Sequence, residues 1–172
     1  MRRILVFGAP GTGKSTLARA VAARLGLPVI HLDAEFWRPG WVEPAKDEWQ
    51  AQVAMLAARD AWVMDGNYSN TWNLRLPRAH AVVWLDLPRS IYFARTLLRT
   101  IGNYGRVRPD LGRDCPERFD WAFVKWAWNY PGRSRAKTEA TLDGIRSEKR
   151  VVVLRSPAEV RAFEAGLPGT LE

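Results

Sequence analysis

A three-layer α/β domain, with a five-stranded parallel sheet covered by helices on both faces, is the fold this sequence predicts, and three observations carry it. Five short apolar runs rich in β-branched residues, at 4–7, 29–32, 62–64, 81–85 and 151–154, show no clean alternation, so each reads as a strand buried on both faces. Helix-patterned segments separate them, and repeated strand and helix alternation is the pattern of a doubly wound sheet. With 172 residues, 47% hydrophobic and 26% charged, the chain has the size and apolar content of one globular domain spanning 1–172. The same fractions exclude a collagenous, coiled-coil or wholly disordered chain.

The elements follow in order. The run at 4–7 ends in Gly8-Ala9-Pro10-Gly11-Thr12-Gly13-Lys14-Ser15-Thr16, and a helix over 15–25 follows, with Leu17, Val21 and Leu25 on one stripe and Gly26 and Pro28 as its stop. The second strand ends at Asp33 and leads into a helix over 45–58, and the third ends at Asp65-Gly66. The fourth ends at Asp86, before Leu87-Pro88 and a helix over 89–101; Pro at a first helical turn makes Asp86 or its neighbour an ordinary capping group. The stretch 102–116 is rich in Gly, Pro, Asn, Asp and Arg and reads as a surface loop. Helices over 117–128 and 137–145, the last strand and a helix over Pro157–Ala165 complete the chain.

The segment Gly8 to Thr16 matches G-x-x-x-x-G-K-[ST] between a strand and a helix, the context in which this pattern forms a phosphate-binding P-loop. Its glycines let backbone N–H groups wrap a phosphate, and the helix that follows aims its positive end there. Lys14 would reach the β- and γ-phosphates of ATP, and Ser15 would ligate Mg²⁺. In an open parallel sheet the carboxyl ends of the strands border the ligand crevice, so Asp33 and Asp65 both face it. Asp65, beside Gly66, is the candidate to hold Mg²⁺ through water; Asp33 would bind an acceptor hydroxyl, bind metal water or serve as a base. The two histidines, His31 and His80, read as structural.

Lys+Arg 26 against Asp+Glu 18 leaves a formal charge of +8, which points to an anionic partner, either phosphate esters or nucleic acid. Many of the arginines fall between Arg95 and Arg135: Arg95 and Arg99 share a helix face, and Arg106, Arg108, Arg113 and Arg118 occupy the irregular stretch. Arginines on a loop near a phosphate site suit phosphoryl transfer, whose transition state spreads negative charge and needs water excluded. A single cysteine, Cys115, forms no internal disulfide, and two histidines leave no Cys/His cluster, so a cytoplasmic protein without a structural metal is expected. No apolar stretch approaches the length of a membrane span.

Through nearly its whole length the chain resembles the nucleoside monophosphate kinases, in particular the adenylate-kinase-like branch. The likeness rests on Gly8 to Thr16, Met64-Asp65-Gly66, Leu85-Asp86-Leu87-Pro88 with Arg95 and Arg99, Gly105-Arg106-Val107, and Arg155-Ser156-Pro157. It implies that Arg95 stacks on adenine, that Arg155 lies where the last strand turns around the base, that Arg99, Arg106 and Arg118 touch phosphates, and that Arg133 closes the lid. An acceptor-side insertion at about 34–60 and an Arg-rich lid at about 102–118 follow from the same likeness. Pro28 to Asp33, Trp37-Arg38-Pro39-Gly40-Trp41 and Asp65-Gly66-Asn67-Tyr68-Ser69 are similar to bacterial topology modulation proteins, whose name implies an effect on DNA supercoiling. Adenylate kinases carry Asp-Gly-Phe-Pro-Arg where this chain has Asp65 to Ser69, so the Arg that clamps the acceptor phosphate is missing, with Arg38 and Arg75 the candidates to replace it. The expectation is an ATP- and Mg²⁺-dependent kinase acting on a small acceptor such as a nucleotide, with a nucleotide-dependent nucleic-acid-binding protein or a plain ATPase as alternatives.

Nine tryptophans are many for this length. Trp62 and Trp84 lie in strands and belong to the core, and Phe119, Phe123, Trp126 and Tyr130 follow helical spacing, which usually means packing. Trp121, Lys125, Trp128, Arg133 and Arg135 are the alternative, a basic and aromatic surface for nucleic acid, which Glu117, Asp120 and Glu139 interrupt.

Overall fold

The computed structural model describes residues 2–108 and 110–168. Five parallel strands, β1 Arg3–Gly8, β2 Val29–His31, β3 Trp62–Asp65, β4 Ala81–Leu85 and β5 Arg150–Leu154, form one sheet in the order β2-β3-β1-β4-β5. The chain passes from β1 to β2, returns to insert β3, then crosses to β4, so β1 is central and its carboxyl end lies at a switch point. That is why the loop after β1 borders a crevice.

Alternate residues of the central strands feed two cores. Leu5, Phe7, Met64 and Val82 face one layer with Trp49, Val53 and Leu56 of α3 (Lys46–Ala58), Trp72 of α4 (Trp72–Arg75) and Leu142 of α7 (Ala136–Ile145). Ile4, Val6, Val63 and Val83 face the other, against Leu17, Ala18 and Val21 of α1 (Lys14–Leu25) and Val160 and Phe163 of α8 (Pro157–Ala165). Trp62 and Trp84 are fully buried, as expected of strand tryptophans, and each large buried side chain contributes about 1.5–3 kcal/mol of transfer free energy.

Several local expectations are corrected. The second strand stops at His31, because Leu32 already begins a short helix, α2 Leu32–Phe36. The helix expected from residue 117 starts at Trp121 (α6, Trp121–Trp128), where Asp120 is the N-cap and accepts from Ala122 and Phe123 N–H at 2.7 and 3.4 Å. Glu117 is buried instead of helical. Asp86 caps nothing: α5 (Arg89–Gly102) has Pro88 at its N-cap, and Asp86 accepts a two-pronged bond from Arg135, at 2.9 Å to Nε and 2.8 Å to Nη2.

Among the described residues of the lid stretch the regular pairing is limited to isolated bridges, Tyr104 with Glu117 and Val107 with Pro116. It is fastened to the turn after α2: Gly40 N–H donates to the Asp114 carbonyl at 3.1 Å, Trp41 Nε1 to the Pro116 carbonyl at 3.1 Å, and Cys115 Sγ to the Arg38 carbonyl at 3.2 Å. Cys115 is a free, buried thiol. No helix among the described residues is long and apolar enough to cross a membrane.

Candidate active site

The loop after β1 is held by its own side chains and by Gly11, at a position the motif leaves open. Thr12 donates its hydroxyl to the Ala9 carbonyl at 2.8 Å, and Lys14 Nζ donates to the same carbonyl at 3.1 Å. Gly11 has φ +78, and a Cβ there would stand 2.2 Å from the Tyr92 carbonyl of α5. Gly11→Ala would therefore have to push a backbone carbonyl out of a helix as well as adopt a left-handed conformation. A loss on the order of 3 kcal/mol is expected, read as a fall in melting temperature of roughly 6–12 °C.

A cavity of about 710 Å³ opens over this loop, and Lys14, Ser15 and Asp33 line it together. Asp33 accepts a hydrogen bond from the Tyr68 hydroxyl at 2.7 Å. Burial pushes the Asp33 carboxyl above its ordinary pKa, with Lys14 and the Tyr68 hydroxyl pulling the other way. Burial lowers the Lys14 ammonium, and Asp33 and Asp65 offset part of that loss. Asp65 closes β3 just beneath and is itself buried, with His31 Nδ1 2.6 Å from its Oδ1. Burial opposes a charged imidazole there, but Asp65 overrides it and raises the His31 pKa. The structural role expected of His31 is thus a specific one: it holds the carboxylate that ends β3.

Over the cavity lie Arg99 of α5 and Arg108, Asp110, Glu117 and Arg118 of the lid stretch, with Arg133 beyond α6. Arg108 pairs with Asp110 at 3.3 Å and with the buried Glu117 at 3.3 Å, and Arg99 stands 3.7 Å from Glu117. Burial opposes the charge on Asp110, but Arg108 and a hydrogen bond from Ser15 hold its pKa below the ordinary value. A lid carboxylate therefore shares the cavity with the hydroxyl proposed for Mg²⁺, with an arginine beside it.

Of the residues singled out by sequence, the structure gathers Pro10, Lys14, Ser15, Asp33, Arg99, Arg118 and Arg133 around this cavity. Ala9 and Arg155 line a second, smaller cavity of about 490 Å³ on the other side of the loop, with Asp86, Arg89 and Tyr92. Arg95 and Arg106 are exposed and line neither cavity, whereas Arg108, two residues along, faces inward. Arg38 is turned away into an ion pair with Glu48, and Arg75 is buried among backbone carbonyls, so neither clamps an acceptor.

The aromatic residues divide in the same way. Phe123, Trp126 and Tyr130 point into the cavity, with Trp37 and Trp41 from the turn after α2 and Trp72 from α4, so what read as a packing stripe is largely cavity wall. Arg118 lies over Trp41, Arg133 over Trp126 and Lys137 over Trp72, at 5.6, 5.3 and 5.9 Å from the ring centroids. Trp121 and Trp128 are exposed, but Arg133 faces the cavity and Arg135 is committed to Asp86, which breaks up the basic surface weighed for nucleic acid.

The model of the ATPase family associated with various cellular activities (AAA) matches residues 4–62, about a third of the chain. No curated protein matches. Among solved structures, a gluconokinase from Sinorhizobium meliloti 1021 shares 25% identity over 96% of this chain and 91% of its own, with a TM-score of 0.54. Shikimate kinase from Acinetobacter baumannii, solved with shikimate, shares 16% identity over 96% and 89%, with a TM-score of 0.57. The five-stranded parallel sheet with helices on both faces and its phosphate loop is the three-layer P-loop fold.

Proposed function

We propose that the protein is an ATP-dependent phosphotransferase that moves the γ-phosphate of ATP to a hydroxyl of a small acceptor. The observation that carries this reading is the convergence of the phosphate-loop residues Lys14 and Ser15, the carboxylate Asp33 and the lid arginines on one cavity. Asp33 takes the proton of the acceptor hydroxyl, the oxygen attacks the γ-phosphorus, and the bond to the β,γ-bridging oxygen breaks to release ADP. Lys14, Arg99 and Arg108 neutralise charge as it spreads over the phosphoryl oxygens, with Arg118 and Arg133 toward the acceptor end, and the roof keeps water out. The nucleoside end of ATP lies in the second cavity, against Arg155.

Oxygen donors suited to Mg²⁺ are present in the Ser15 hydroxyl and the nearby carboxylates, and Asp65, engaged by His31, would act through water. Bound with the nucleotide, Mg²⁺ would neutralise phosphate charge. The aromatic walls and the cations Arg118, Arg133 and Lys137 favour an acceptor with a flat ring face and an acidic group. The likeness to adenylate kinases makes a nucleotide one such acceptor, and the gluconokinase and shikimate kinase neighbours make a hydroxylated acid another.

Incubation with γ-labelled ATP, Mg²⁺ and separate panels of nucleoside monophosphates, nucleosides, gluconate and shikimate tests this. Label is expected on one class of acceptor. Release of inorganic phosphate alone across every panel would overturn the reading in favour of a plain ATPase.

A further inference from the structure

Arg75 is wholly buried and has no carboxylate partner among the described residues. A guanidinium in such a place is costly unless its donors are satisfied, and burial lowers its pKa to about 9. Its partners are three consecutive carbonyls, Gly66 at 3.1 Å, Asn67 at 2.6 Å and Tyr68 at 3.0 Å, with Nε on the Thr71 hydroxyl at 3.0 Å and Phe7 stacked below. Tyr68 in the backbone so held has φ +29, a conformation a residue with a side chain rarely adopts, and Gly66, at φ +126, leaves no room for a Cβ, which would stand 2.8 Å from Leu32 Cβ. Strain of this kind persists only where the surroundings over-determine it.

Its consequence is the aim of two neighbouring side chains. The Asn67 carboxamide grips Gly8 at both ends of the residue, accepting from its N–H at 3.2 Å and donating to its carbonyl at 2.9 Å. Tyr68 donates to Asp33. Gly8 opens the phosphate loop on the donor side, and Asp33 stands on the acceptor side. We propose that Arg75 is a positioning residue that fixes the two halves of the site relative to each other, by locking carbonyls 66–68 so that Asn67 holds the phosphate loop and Tyr68 holds Asp33. The meaning of that register rests on the phosphotransferase reading; the linkage itself does not.

The test therefore uses readouts that need neither acceptor nor turnover: ADP affinity by calorimetry, and the pH midpoint of the Asp33 carboxyl ¹³C resonance, assigned by its loss in Asp33→Asn. The charged and titratable groups acting on Asp33 include Lys14, Tyr68, Asp65, Arg108 and Arg99. Asn67→Ala is expected to weaken ADP about tenfold and leave the Asp33 midpoint in place. Tyr68→Phe removes a hydrogen bond to the ionised form, so the midpoint moves to higher pH while ADP affinity stays within about twofold. Arg75→Lys, whose ammonium cannot span three carbonyls, moves both readouts together. A folded Arg75→Lys that moves neither or only one overturns the proposal. Should Arg75→Lys not fold, Arg75→Gln, whose carboxamide keeps two N–H donors for the carbonyls but no planar fork, decides in its place by the same criterion. Phosphate transfer in the acceptor panels with unmoved readouts would sink this linkage alone; moved readouts without transfer would sustain it while the kinase reading falls.

Discussion

Lys14→Ala is expected to weaken ATP binding by roughly 10- to 100-fold, the range for removing a charge-assisted hydrogen bond to a phosphate. Lys14 reaches into the cavity yet donates to only one described protein acceptor, the Ala9 carbonyl, which lies within the same loop. Its ammonium is partly desolvated, so it is poised to exchange that carbonyl and the attraction of Asp33 and Asp65 for the far stronger attraction of a triphosphate. Its loss leaves the hydroxyl of Thr12 on Ala9 in place, so the melting temperature of the free protein is expected to change little. Calorimetric titration with ATP and Mg²⁺ reads the effect. An affinity equal to that of the parent protein would remove the basis for placing the donor here.

Asp33→Asn separates chemistry from binding. The amide keeps the size and polarity of the side chain, so ATP affinity is expected to stay close to the parent value, while transfer to the acceptor falls about 10²–10⁴-fold with the base gone. The parent enzyme should also show where that base titrates. Burial outweighs Lys14 and Tyr68 and sets the Asp33 pKa above the ordinary carboxylate value. The base is active only when ionised, so activity is present above that raised pKa and is lost as pH falls through it. The acid limb of kcat/KM should therefore lie above the usual carboxylate range and vanish in Asp33→Asn. A limb at the ordinary position would reassign the proton acceptor.

The contrast between Arg106 and Arg108 shows where sequence reading ended. Both belong to one Arg-rich stretch in which the resemblance to adenylate kinases selects Arg106; the structure leaves Arg106 exposed, and buried Glu117 draws Arg108 and Arg99 inward. Glu117 read as the start of a helix because it precedes a run of helix-forming aromatics. It became instead the anion that gathers the roof, since the helix begins only where Asp120 caps it. Arg75 reads in sequence as a replacement for the acceptor-clamping arginine. The structure buries it instead, because the turn after β3 folds carbonyls 66–68 back around its guanidinium.

What the sequence determined by itself is what neighbours along the chain determine: five strands, of which the central three are buried and the edge strands β2 and β5 only partly so, the helices that alternate with them, and the contiguous residues of the phosphate loop. Local sterics and hydrophobic periodicity act over a few residues, so they can be read in one dimension. Tertiary structure alone decided which arginines face the cavity, that the aromatic stripe of α6 lines it, that His31 orients Asp65, and that a buried arginine joins the donor and acceptor sides. Each of these depends on burial or pairing between residues that no helix or strand period relates, and those energies exist only once the folded chain has brought the residues together and excluded water.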